Sequence, residues 1–449
     1  MGHLGACPPT LPLTPGAIMP DLCLSRSRRL RYFAFFLLYV MQGVPAGFAL
    51  TAVANYLAAR GLPPARIGGF VAVIGLPWAF QFVWGPVLDR FQASTLGRRR
   101  PWVILCQGMA LLASLGLVLI DDPARQLWAA SLAFFVHSVF ASVQDASVDA
   151  MAIALIRESE RGRVNAFMRG GMIAGSASGA AVLSVVMATY GFRIAAVVQT
   201  LALLAMTAVT ACLRERPGDA LWPSFRREPS PAGAEPSVSI GRVFAELFRG
   251  LVEPSGLHAF AAIAIVYLAQ SVFIRALSIE LIQGRGWGDT ELSVLTGGVG
   301  MVAALVAVLV GGVISDHVGH RRMLLAVMAA LAVFLVGFSL ISGHWDRPVV
   351  RSGLMIWYIF DPLVSVAAMP ALMALCRPGV EGSQFTAYMA FVNLCDVAGS
   401  FLAGEALRRV SAPTIGLACG VAVAAAFVSI ALGSLGRVAK SNPAIGGLG

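Results

Sequence analysis

Charge is scarce in this chain. Only 12% of its 449 residues are charged and 58% are hydrophobic, whereas a water-soluble domain carries about 25% charge. So little polar surface could not cover a fold in water. Lysine is almost missing, Lys440 being the single one, so the net charge of +10 rests on arginine. Paired cysteines are missing too. Cys7, Cys23, Cys106, Cys212, Cys376, Cys395 and Cys419 form no CxxC pair, which argues against a zinc site or a disulfide framework. No phosphate-binding glycine loop is present, so an ATP-driven pump is not expected. Ser138 and Ser142 near His137 lie within one helical stretch and have no nucleophile elbow. A membrane-embedded enzyme, the rival class, therefore has no visible reactive set. No cofactor or metal site is expected.

What is present is a series of long apolar runs. A helix of about 20 such residues crosses ~30 Å of hydrocarbon, and continuous runs are not the ten-residue alternations of a membrane barrel. Twelve spans are expected near 32–58, 65–88, 101–120, 126–156, 164–188, 193–213, 257–283, 290–314, 323–342, 351–376, 385–408 and 413–436. Residues 1–30 read as a disordered cytoplasmic tail without the pattern of a cleaved signal peptide, and 437–449 as a second tail. The 214–256 loop is rich in proline at first. It then shows Ile240, Val243, Phe244, Leu247 and Leu251 at helical spacing, which predicts an amphipathic helix on the membrane surface. This loop separates two six-helix bundles, 31–213 and 257–436.

Basic residues favour one face. The opposite face holds Arg60, Arg66, Arg125, Arg193, Arg285, Arg347, Arg351, Arg408 and Arg409, while Arg169 and Arg275 lie inside spans; the rest of the 33 Lys and Arg fall on the face of the termini. Positive loops stay in the cytoplasm, so both termini and the central loop are placed there. The basic charge is thus a topology signal and calls for no nucleic-acid partner. A cysteine introduced at position 122 or 346 is expected to react with an impermeant reagent added to intact cells, and one at position 230 to be shielded. External labelling of position 230 would reverse the orientation.

Two hinges share a pattern. Gly85-Pro-Val-Leu-Asp89-Arg90 leads to Gly97-Arg98-Arg99-Arg100, and Gly312-Val-Ile-Ser-Asp316-His317 leads to Gly319-His320-Arg321-Arg322. In each, the glycine admits a close helix approach, and the acid caps or pairs with a helix end and the following arginines. Ala154-Leu155-x-Arg157 also recurs as Ala374-Leu375-x-Arg377. Twelve spans, two repeats and a basic central loop resemble the major facilitator superfamily. That resemblance implies an all-α membrane protein of two six-helix bundles that rock about a central path. It also implies that Gly85, Asp89, Arg90, Arg98, Gly312, Asp316, Arg321 and Arg322 form gating latches.

Span 4 carries the unusual charge. At 100° per residue, Ser138, Ser142, Asp145 and Asp149 fall within about 60° of one another, with His137 and Gln144 on an adjoining stripe. A mid-bilayer carboxylate costs about 2.5–3.5 kcal/mol on insertion scales, so this face meets water, a partner or a cavity. Asp149 and Arg169 both lie roughly 10 Å deep and could form a salt bridge, either structural or functional. Asp145 has no evident partner and is a natural proton carrier. His137 is either a packing residue or a relay. Asp361 in span 10 and Asp396 in span 11 are rival coupling sites, although Asp361 could cap a helix break at Pro362. Arg275 in span 7 could meet an anionic solute or pair with either of those acids.

Several segments resemble the peptide/acetyl-coenzyme-A transporter family, which includes muropeptide permeases. They are Leu38-Tyr39-Val-Met-Gln42-Gly43-Val-Pro45, Gly75-Leu-Pro77-Trp78, Trp84-Gly85-Pro86, Gly97-Arg-Arg-Arg-Pro-Trp102 and Gln144-Asp145-Ala-Ser-Val-Asp149-Ala150. The chain departs from that pattern at Met151-Ala152-Ile153 and at Gln270-Ser271 in span 7. The resemblance implies a monomeric, proton-coupled importer of a polar or anionic small molecule such as a muropeptide, in a bacterial inner membrane. A siderophore, an acyl-coenzyme-A-type solute, or export remain alternatives.

Overall fold

The computed structural model describes residues 22–84, 87–88, 94, 96–156, 160–221, 254–376 and 381–432. Among these, twelve helices are long and apolar enough to cross a membrane. They are α1 Arg28–Ala59, α2 Pro64–Val83, α3 Arg100–Val118, α4 Leu127–Leu155, α5 Arg163–Tyr190, α6 Phe192–Cys212, α7 Gly256–Gly284, α8 Asp289–Ser315, α9 Arg321–Leu340, α10 Arg347–Ala374, α11 Gln384–Ala406 and α12 Ala412–Leu432. Their outward surface is apolar, with Leu112, Leu309 and Val333 each more than half exposed, as lipid contact requires. Trp128 and Tyr190 are exposed at helix ends, where aromatic rings sit at a membrane interface. We call the face on which α1 begins and α12 ends the hinge face, and the opposite one the far face.

Helices α1–α6 form one bundle and α7–α12 the other. In the first, α1 lies against α5 with almost no spacing. A Cβ on Gly43 would come within 2.7 Å of the Ser176 nitrogen and 2.9 Å of the Gly175 Cα, so only glycine allows the approach. In the second, α7 packs against α11 and α12. The hydroxyls of α4 cost little in this setting. Ser142 and Ser147 donate to the Val139 and Val143 carbonyls of their own helix, both at 2.8 Å.

The two helices that open the bundles are both irregular. α1 contains Pro45 and passes into a π-helical stretch at Phe48–Val53, and α7 ends in another at Glu280–Gly284. Proline removes one amide donor, and wide turns of this kind leave backbone carbonyls free for other donors. α10 behaves otherwise. It runs unbroken from Arg347 to Ala374 through Pro362 and Pro370, so Asp361 caps no break, contrary to one expectation from the sequence.

The hinge side brings further differences. Residues 22–27 belong to the folded body. Leu24 and Ser25 donate backbone hydrogen bonds to Arg214 and Glu215 (2.8 and 3.0 Å), and Arg214 returns one to Leu22 (2.9 Å). Ser27 then caps α1. Residues 22–30 are thus ordered, contrary to the disordered tail expected over 1–30. Gly85, Asp89, Arg90 and the amphipathic stretch 240–251 lie outside the described residues, as does the Asp316 side chain. A Cβ on Gly312 would meet nothing within 4 Å, so no helix approaches there, contrary to the close packing expected of it.

Glu215 is the unforeseen anchor of the first hinge. Its buried carboxylate accepts from the backbone nitrogens of Arg98 (3.2 Å), Arg99 (2.7 Å) and Arg100. It thereby caps the start of α3, where amide donors have no helical partner. Arg98 thus contributes its backbone, and its side chain is exposed. In the second hinge the Arg321 guanidinium donates to the Ala431 carbonyl at 3.4 Å. Glu215→Ala should destabilise the purified protein by about 1–3 kcal/mol, the cost of stranding buried donors, and Glu215→Gln by less. Equal thermal unfolding of both variants and wild type would remove Glu215 from this role.

Candidate functional site

The charged side chains inside the spans form two groups, one in each half. The station nearer the hinge face belongs to the first half. Asp149 on α4 accepts from the Tyr39 hydroxyl of α1 at 2.5 Å, and Asp145 accepts from the Gln81 amide of α2, also at 2.5 Å. Beside them the Trp84 indole donates to Ser142 at 3.1 Å. Both acids are therefore held by neutral donors. Among the described residues no ion pair joins Asp149 to Arg169, so the salt bridge expected from depth alone does not form. Arg169 is exposed on α5. A carboxylate bound to neutral partners loses no ion pair when it gains or releases a proton.

His137 and Gln144 are not part of that station. His137 is buried inside the first bundle, its Nδ1 3.1 Å from both the Ala110 carbonyl and the Ser114 hydroxyl on α3. Gln199 of α6 donates to the same hydroxyl at 3.4 Å. This network joins α3, α4 and α6, so His137 packs the bundle and does not line the path. Gln144 is buried with its Nε2 unbonded.

The deeper station belongs to the second half. A cavity of about 420 Å³ opens there, lined by Arg275, Asp361 and Asp396 together with Gln270, Tyr267 and Tyr358. Asp396 accepts from the Ser271 hydroxyl at 2.7 Å. Asp361 is exposed to the cavity. Arg275 donates to the Leu50 carbonyl at 2.7 Å, inside the π-helical stretch of α1, and so ties the halves together. Among the described residues it makes no ion pair with Asp361 or Asp396. The Tyr267 hydroxyl donates to Ser365 at 3.3 Å.

Beyond this cavity the far face is sealed. Gln283 donates to the carbonyls of Ala58 and Leu62 (3.0 and 2.8 Å), and Asn55 to the Ser293 hydroxyl (2.9 Å). Gly68 on α2 abuts the backbone of Ser400 and Gly404 on α11. The far-face ion pairs, such as Arg60–Asp122 and Arg347–Glu291, join helices within one half. The seal therefore consists of amides and close backbones.

One repeat escaped the sequence reading. Tyr39-x-x-Gln42 on α1 recurs as Tyr267-x-x-Gln270 on α7, at nearly the offset that relates Asp89 to Asp316. Each tyrosine bonds a neighbouring helix of its own half, Asp149 in one and Ser365 in the other. Each glutamine is buried with neither amide atom bonded, a condition that costs about 1–3 kcal/mol unless a ligand or water relieves it. Aligning the starts of spans 1 and 7 would have revealed the pair.

Comparison with known proteins agrees with this architecture. An anhydromuropeptide permease of Escherichia coli K12 is 25% identical over 346 residues, covering 74% of this chain and 67% of its own length. An uncharacterized protein of Haemophilus influenzae is 25% identical over 285 residues, and the match spans 62% of this chain and 64% of that protein. A putative transporter AmpG 4 of Rickettsia conorii is 22% identical over 392 residues, 84% of this chain and 89% of its own. The nucleoside transporter NupG shares the fold, with a TM-score of 0.66 over 89% of this chain and 99% of that one, at 10% identity. The model of the Major Facilitator Superfamily matches residues 32–404, and with twelve spans in two halves around a polar path the chain belongs to that superfamily and is a membrane transporter, not an enzyme.

Proposed function

We propose that the chain is a proton-coupled importer of a polar or anionic solute of the muropeptide kind, working in a bacterial inner membrane with both termini in the cytoplasm. The observation that carries this reading is the pair Asp145 and Asp149, two acids within the membrane held by Gln81 and Tyr39 and not by a cation. With all groups charged, the two stations hold four carboxylates, Asp145, Asp149, Asp361 and Asp396, against Arg169 and Arg275. An anionic solute would be repelled from such a path until protons neutralise part of it. Proton binding before solute binding is then the order that electrostatics favours. The similarity to an anhydromuropeptide permease supports the solute class.

In this assignment the sealed far face is the outer one, and the path is reached from the cytoplasm. The halves would rock so that α2 parts from α11 at the far face in the opposite state, and the hinge loops would then hold the inner side closed. Asp89, Arg90, Asp316, Arg321 and Arg322 carry that latch role here by resemblance alone.

The test is uptake of a labelled anhydromuropeptide into proteoliposomes, with and without an inward proton gradient. Accumulation that appears only with the gradient is expected. Equal accumulation without the gradient would remove proton coupling, and gradient-driven efflux would reverse the direction.

A further inference from the structure

The deeper station holds more binding capacity than a proton path needs. Its cavity of about 420 Å³ falls in the size range of sites that take part or all of a small organic molecule. Four of its side chains are incompletely used. Asp361 is exposed to the cavity without an ion pair among the described residues. Arg275 spends its Nη1 on the Leu50 carbonyl, but its buried Nε has no partner. Gln270 is 3% exposed, and both of its amide atoms lack partners. Asp396 accepts from Ser271 and lines the same cavity as Asp361.

A proton carrier would need one acid. A site for a simple anion would need the guanidinium without two carboxylates beside it, and a site for a simple cation would need the reverse. What lines the cavity is one free acid backed by a second, one guanidinium with a spare donor, and an unused amide. Buried polar groups of this kind are normally bonded, and here a ligand of mixed charge would satisfy all of them at once.

We propose that this cavity is a subsite for a zwitterionic, amino-acid-type end of the solute, with the ammonium group at Asp361 and Asp396 and the carboxylate at Arg275 and Gln270. Charge-assisted hydrogen bonds of that type are the stronger ones and carry geometric specificity. The sugar part of the solute would then lie nearer the first-half station, where Tyr39, Gln81 and Arg169 offer hydroxyl, amide and cationic contacts. Tyr267 lines the cavity beside Asp361. The carbonyl held by Arg275 belongs to α1, so binding of a carboxylate at Arg275 would compete with a bond that joins the halves.

The inference rests on the proposed solute class, and the experiment separates the two. Binding to the purified full-length protein is measured by calorimetry with three probes. They are an anhydromuropeptide whose peptide ends in an amino acid with free amine and carboxylate, the same compound with that amine acetylated, and its sugar part alone. The free-amine compound should bind about tenfold or more tightly than the acetylated one, the ratio expected from one charge-assisted bond. Asp361→Asn should bring the free-amine compound down to the acetylated level while leaving the sugar part bound as in wild type, which also reports that the variant is folded. Discrimination by the wild-type protein needs no variant and stands if Asp361→Asn fails to fold. Equal binding of all three probes would overturn the subsite and leave the solute class in place. Binding of none of them would overturn both.

Discussion

Replacement of Asp145 by Asn is expected to abolish accumulation driven by a pH gradient while leaving solute exchange close to wild type. One pH unit across the membrane is worth about 1.4 kcal/mol per proton, so a one-proton symporter concentrates its solute about tenfold on that gradient. The variant should concentrate it not at all. Asn imitates the protonated acid permanently, and its carbonyl still accepts from Gln81, whose amide lies 2.5 Å from the native carboxylate. The helix contact therefore survives and only proton release is lost. Removing one charge beside Asp149 also relieves a like-charge repulsion. Counterflow and gradient-driven uptake, measured in parallel on reconstituted Asp145→Asn, distinguish this from a structural role. Gradient-driven uptake at the wild-type level would sink the assignment and pass it to Asp361 or Asp396. Loss of both activities with the protein still present in the membrane would place Asp145 in solute binding.

The fold was legible in the sequence because membrane helices announce themselves by length and apolarity, and because the Asp89 and Asp316 hinges mark a duplication. The helical wheel of α4 likewise placed Asp145 and Asp149 on one face. A wheel does not say which neighbour that face meets, and depth alone suggested Arg169 for Asp149. The true partner, Tyr39, is neutral and comes from α1, a choice fixed by the glycine contact that draws α1 onto α5. His137 was ambiguous for the same reason, since only the positions of Ser114 and Gln199 show that its stripe faces the bundle interior. Glu215 was invisible because its value lies in backbone amides, which every residue has. Gly312 matched a motif whose close packing does not occur here, whereas Gly68, which no motif singled out, carries one of the tightest approaches between the halves.

That approach leads to the second large effect. Gly68→Leu is expected to reduce transport by about fivefold or more and to leave the far face open. In the sealed state the Gly68 backbone lies directly against the Ser400 carbonyl, and a Cβ there would also come within 3.2 Å of the Gly404 Cα. Backbone cannot yield as a side chain tip can, so the leucine must be accommodated by parting α2 from α11. Overpacking a tight contact costs about 1–3 kcal/mol, which lowers the equilibrium weight of the sealed state by roughly five- to 150-fold. The state open at the far face does not need this contact and escapes the penalty. Its rise can be read directly. A cysteine placed at Asn55, whose amide bonds Ser293 across the seal, should react with an impermeant reagent from the far side faster in the Gly68→Leu background. The adjacent Gly69 supplies the control, because a Cβ there would meet nothing within 4 Å. Gly69→Leu adds the same apolar volume to the same helix turn without touching α11, so it should transport as wild type does. If both leucine variants transport equally, the α2–α11 contact does not limit closure, and the side-chain bonds of Gln283 and Asn55 must hold the far face shut without it.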